Sequence, residues 1–256
     1  MLESLLLFTA GICGGVINSL AGGGSFITFP ALLLAGVPPI GANATNTFAS
    51  CAGYLSGAYA LRREVLAHRR ELPRILLAST AGGIAGAWLL LQTPQHLFRE
   101  AIPWLLLLAT LLFVFGARLN QALKGISRRH RHLPATGRLL LWLLLLGVCL
   151  YGGFFNAGLG VVLLSYLALA GHTDINAMNG IKLLVSAVVA LVALTLFAAG
   201  GVIAWQAGTM VLLGTLAGGY AAARISRLLP QRQVRNFVIA ASSSITAYFF
   251  YATYAA

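Results

Sequence analysis

The chain has 256 residues, 59% of them hydrophobic and only 9% charged. A soluble domain carries about 25% charged residues, so this composition excludes a water-facing surface and describes an all-α polytopic membrane protein. The net charge of +12 does not read as a nucleic-acid footprint, because the basic residues cluster in short loops between apolar runs.

The first apolar run covers 4–35. Glu3 is its only early charge, so it reads as part of the mature fold and not as a cleaved signal. Glycine breaks it in the middle: Gly14-Gly15-Val16-Ile17-Asn18 leads through Gly22-Gly23-Gly24-Ser25 to Ala35-Gly36. Runs at 40–61, 73–92 and 101–118 follow, each near the ~20 residues a helix needs to span a bilayer. A basic stretch over 119–137 comes next. It contains His130-Arg131-His132, with no carboxylate or cysteine beside them to complete a metal site, and reads as a solvated linker.

The run at 138–171 repeats the first. Gly152-Gly153-Phe154-Phe155-Asn156 leads through Gly158-Leu159-Gly160 to Ala170-Gly171. Runs at 176–200, 204–223 and 234–254 complete the chain. Each glycine-broken run divides into pieces that suit re-entrant half-helices better than full spans.

Charge orients these elements. Arg62, Arg63, Arg69, Arg70 and Arg74 mark one cytoplasmic loop; Arg118, Lys124, Arg128, Arg129, Arg131 and Arg138 a second; Arg224, Arg227, Arg232 and Arg235 a third. The connections near Thr93-Pro94 and Gly200-Gly201 are almost uncharged and belong outside. Two spans, 176–200 and 204–223, separate the run at 138–171 from the third of these arginine loops, so that run begins and ends on the cytoplasmic side. By repetition, 4–35 begins and ends outside. The expected architecture is therefore two inverted-topology repeats, 1–118 and 138–256, each a glycine-broken hairpin plus three transmembrane helices, joined by a basic cytoplasmic linker.

Candidate site residues sit at the breaks and at the helix starts behind them. Gly22, Gly23, Gly24 and Ser25 form one hairpin tip and Gly158 and Gly160 the other; two half-helix N-termini there offer free N–H groups to an anion. Asn18 and Asn156 precede the breaks, and Thr45, Asn46 and Asn179 open the spans that follow, where each suits either ligand contact or helix capping. Lys182 is one of two lysines and lies in the first turns of a span, so it is a functional candidate. The five carboxylates, Glu3, Glu64, Glu71, Glu100 and Asp174, all lie outside the middles of the spans. His172 and Asp174 read as a turn and a helix cap, so no dedicated proton relay is expected. Cys13, Cys51 and Cys149 lie in apolar runs and read as small packing residues. Cys13 and Cys149 sit at matching places, in Gly11-Ile12-Cys13 and Gly147-Val148-Cys149. No nucleophile–base pair or metal-ligand spacing falls inside a span, so neither an enzyme, a metal nor a cofactor is expected.

The segment from Gly14 through Ser25, with Pro30-Ala31-Leu32-Leu33, Pro38 and Ala44-Thr45-Asn46, resembles the TauE/SafE family of membrane transporters, the sulfite exporters. Gly152-Gly153-Phe154-Phe155, Ala177-Met178-Asn179-Gly180-Ile181-Lys182 and Gly218-Gly219-Tyr220 with Ala223-Arg224 fit the same family in the second half. Family members often carry a lysine after the first Thr-Asn, whereas Thr47 stands there in this chain. The resemblance implies export of sulfite or a small organosulfonate across a bacterial cytoplasmic membrane, with a small organic acid as the alternative cargo. A homodimer is one expectation from the small-residue face at Gly82-Gly83-Ile84-Ala85-Gly86.

Overall fold

A computed structural model of the chain describes residues 2–21, 23–129, 135–225 and 231–255. Among these residues the secondary structure is helical throughout: α1 (Leu2–Ala21), α2 (Ser25–Leu34), α3 (Pro39–Ala60), α4 (Arg62–Ala67), α5 (Leu72–Gln92), α6 (Gln95–Arg129), α7 (Ala135–Phe154), α8 (Leu159–Leu169), α9 (Ile175–Ala199), α10 (Trp205–Ile225) and α11 (Gln231–Tyr254).

Both glycine-broken runs are broken helices. The first breaks between Ala21 and Ser25, the second between Phe154 and Leu159. Gly158 caps α8 at φ +80, a left-handed conformation that costs glycine little and other residues much. Both runs also end alike. Gly36 and Gly171, at φ +78 and +98, follow the last helical turns. The N–H of Val37 returns to Leu32 O and that of His172 to Leu167 O, so each closes with a Schellman cap.

Three helical stretches among the described residues are long and apolar enough to cross a bilayer: Leu72–Gln92, Gln95–Gly116 and Ile175–Ala199. The α3 helix has the length, 22 residues. Its lower hydropathy comes from Asn43, Thr45, Asn46 and Thr47, all buried inside the protein and away from lipid. The α6 helix runs to Arg129, well past the apolar run at 101–118 and into the expected linker. The stretch His130-Arg131-His132 lies outside the described residues.

Helix α1 packs against α10 and α5 against α7. Helix α3 meets α9 and α6 meets α11. Helix α5 also touches α9, as α10 touches α3. Glycine makes the two closest crossings possible. A Cβ at Gly218 of α10 would strike the Ile12 carbonyl of α1, and one at Gly86 of α5 would strike the Leu150 carbonyl of α7. Gly15 meets Thr215 O just as Gly153 meets Gly83 O. Gly82, Gly83 and Gly86 are thus buried within the chain, against α7 and α9, and are not available to a second copy. At the same level, Gly11 faces Gly214 while Cys149 faces Gly82. The two crossings therefore make Gly11, and not the exposed Cys13 two residues on, the counterpart of Cys149.

Candidate functional site

A cavity of about 620 Å³ lies between α1, α2, α3, α9 and α10. It runs from Asn18 and Gly24 at the first helix break to Leu61 and Tyr220, toward the arginine-bearing ends of α3 and α10. Four expected residues meet there: Asn18, Gly24, Asn179 and Lys182. Among the described residues Lys182 is the one cationic side chain in the lining, and no carboxylate lines it. Its Nζ donates to Asn179 Oδ1 at 3.0 Å, one helical turn earlier. Its stem lies against Gly160, where an added Cβ would sit 3.4 Å from Lys182 Cδ. The lysine thus spans from the first turn of α8 to the cavity.

The α2 N-terminus supplies the cavity with its tip. The backbone ladder begins with Phe26 N to Gly23 O and with Ile27 and Thr28 N to Gly24 O. The amides of Gly24 and Ser25 precede it, as the first N–H groups of a helix do.

Behind that tip sits a buried polar network. Thr28, on the cavity wall, donates its hydroxyl to Asn46 Oδ1. Asn46 Nδ2 donates to Ser25 Oγ at 3.1 Å. Asn46 and Ser25 therefore support the wall from within and do not line it. Thr45 points elsewhere: its hydroxyl accepts from Ala204 N at 3.0 Å and so caps α10. Neither Thr45, Asn46 nor Asn179 caps its own helix, since α3 and α9 begin several residues earlier. Asp174 is the cap of α9, accepting from Asn176 N at 2.8 Å and from Ala177 N at 3.4 Å.

The second tip is closed. Gly158 packs on Ala109 of α6. Asn156 is 3% exposed; its Oδ1 accepts from Tyr54 Oη at 3.2 Å, and its Nδ2 has no partner among the described residues. Asn43 Oδ1 is also buried without a partner there, while its Nδ2 donates to Phe154 O at 3.0 Å. Fully buried aromatic rings cover this side. Phe155 meets Phe29 edge-on at 5.4 Å and Phe98 at 6.4 Å. Gly23 is buried against Phe113 and Val238; Gly22 lies outside the described residues.

Sequence reasoning missed Thr28, Ser50, Gly53, Gly57, Tyr54 and Asn43. A signal existed: Asn46, Ser50, Gly53 and Gly57 recur at helical spacing and make one small, polar stripe along α3.

His172 stands apart from the cavity. Its Nε2 lies 3.2 Å from Glu71 Oε2, joining the α8–α9 loop to the turn before α5. Burial holds its imidazole below the ordinary value. The Glu71 carboxylate opposes that shift and the neighbouring His68 adds to it.

The profile of the family described as sulfite exporter TauE/SafE matches residues 7–249. A probable membrane transporter protein, YfcA, of Escherichia coli K12 is 30% identical over 250 residues, covering 96% of this chain and 89% of that protein. A probable membrane transporter protein of Haemophilus influenzae is 30% identical over 245 residues, covering 94% and 92%. The ORF9 probable membrane transporter protein of a Sinorhizobium species is 29% identical over 241 residues, covering 93% and 89%. No solved structure matches the chain. With a polytopic helical fold, glycine breaks at matching places and a match across nearly its whole length, the chain belongs to the TauE/SafE family of membrane transporters.

Proposed function

We propose that the protein is a secondary transporter of a small anion, with sulfite or an organosulfonate as the cargo the family description suggests. The observation that carries the reading is the cavity itself: one lysine, two asparagines and a half-helix N-terminus, with no acidic side chain in its lining. A small organic acid would use the same groups and is the second reading.

The proposed mechanism is alternating access between two inverted repeats. The paired crossings α1 with α10 and α5 with α7 support it, as do the matching Schellman caps. The cavity reaches toward the arginine-bearing ends, so we read this form as inward-facing, in a bacterial inner membrane with both termini outside. The ring cluster of Phe29, Phe98 and Phe155 is then the closed outer barrier. No acidic side chain lines the path, so transport runs downhill or the substrate carries its own proton, as bisulfite does.

The test is thermal stability of the purified protein with sulfite, sulfate, sulfoacetate, taurine, acetate and pyruvate. A ligand of the folded state raises the midpoint by mass action. A shift with sulfite or a sulfonate supports the reading. A shift with carboxylates alone supports the organic-acid alternative, and no shift with any anion counts against an anion site.

A further inference from the structure

A second cavity, of about 570 Å³, opens on the protein's side between the starts of α5 and α7 and the end of α8. Its inner wall is apolar, with Ile75, Leu145 and Leu167 all buried, and Leu139 at its outer edge is 58% exposed. Arg70 and Arg74 stand at its rim. Both are exposed, and among the described residues neither has an ion-pair partner. The carboxylate between them in sequence, Glu71, is engaged by His172 instead.

This is a two-part surface. Two guanidinium groups, with the Glu71–His172 pair beside them in the lining, border an apolar slot at one end of the helical bundle. An inorganic anion would use the arginines and leave the slot empty. A neutral lipid would fill the slot and leave the arginines unused. We infer that the groove is a binding site for an anionic glycerophospholipid, with its phosphate on Arg70 and Arg74 and an acyl chain along Leu139, Leu145 and Ile75. Guanidinium forks suit phosphate oxygens, and basic pockets between transmembrane helices at the cytoplasmic side bind such headgroups. The inference rests on the membrane placement of the chain and is independent of which solute it carries.

The experiment is thermal unfolding of the purified protein in detergent, with phosphatidylglycerol, phosphatidylcholine of the same chains, or glycerol 3-phosphate added. Phosphatidylglycerol should raise the midpoint by several degrees more than phosphatidylcholine, and glycerol 3-phosphate should leave it unmoved. The R70Q/R74Q variant should lose at least half of the phosphatidylglycerol effect, while R62Q/R63Q, changed in the same loop away from the groove, keeps it. Equal shifts from the two lipids overturn the site. So does a full shift in R70Q/R74Q, or one from glycerol 3-phosphate alone. If R70Q/R74Q does not fold, the wild type in rising salt decides. The phosphatidylglycerol shift should shrink as the charges are screened, and a salt-independent shift overturns the inference.

Discussion

Lys182 combines a charge with a constrained position. Its amine is tied to Asn179 and its stem to Gly160 of α8, so it reaches the cavity from α9 while Asn18 and Gly24 approach from the break between α1 and α2. Lys182→Ala should therefore abolish ligand-induced stabilisation by the anion that shifts the wild type, while the ligand-free midpoint stays within about 2 °C, as expected for a change of under 1 kcal/mol. An unchanged ligand shift would remove the lysine from the site. Tyr54 tests the closed side. Its hydroxyl is the partner of Asn156 among the described residues, so Tyr54→Phe leaves a buried amide unpaired and should cost about 1–3 kcal/mol. His172 gives a pH signature. Its pKa is lowered on folding by burial, so the unfolded chain binds the proton first. Its contribution to stability is present above the ordinary histidine value and is lost as pH falls through the lowered, folded one. The groups facing it are Glu71 and His68 from the turn before α5, with Asp174 on its own loop and Arg70 and Arg74 across the neighbouring groove. His172→Phe should flatten the acid-side loss of stability relative to wild type in pH-dependent thermal unfolding; identical slopes would refute the assignment.

At the scale of elements, the closest crossings depend on absent side chains. Gly86→Val and Gly218→Val each drive a branched side chain into a backbone carbonyl that cannot move without its helix. Each should destabilise by 3 kcal/mol or more, about the upper range for overpacking. Gly147→Ala is the control, since nothing lies within 4 Å of its added Cβ, and it should be neutral or slightly stabilising. Yield and monodispersity after detergent extraction separate the two cases. Other glycines explain what could be read from the sequence. Gly22-Gly23-Gly24 and Gly158-Leu159-Gly160 interrupt apolar runs, so the helix breaks were visible. The extent of α6 was not, because an apolar run marks membrane thickness whereas the helix continues into polar sequence to Arg129. The six-residue α4 was hidden within an arginine-rich loop that reads only as charge. The site was legible in part for a reason of helical phase. Asn46 and Thr45 are neighbours in sequence, but one residue turns a helix by about 100°. Asn46 therefore meets Thr28 and Ser25, while Thr45 meets Ala204, the residue before α10.

At the scale of the whole molecule, a cavity open toward one end meets an aromatic closure toward the other. Orientation can be checked in intact cells by single cysteines placed in a cysteine-free background. Position 200 should react with an impermeant maleimide added outside, and position 231 only after the membrane is permeabilised. Outside labelling at 231 would break the hairpin topology. Solute flux in proteoliposomes loaded with sulfite or a small sulfonate decides whether the cavity carries an anion across the membrane. Efflux should run well above that of protein-free liposomes and be lost in the Lys182→Ala variant. Flux no faster than protein-free liposomes for every anion tried, or equal flux in wild type and variant, would contradict anion transport through the cavity.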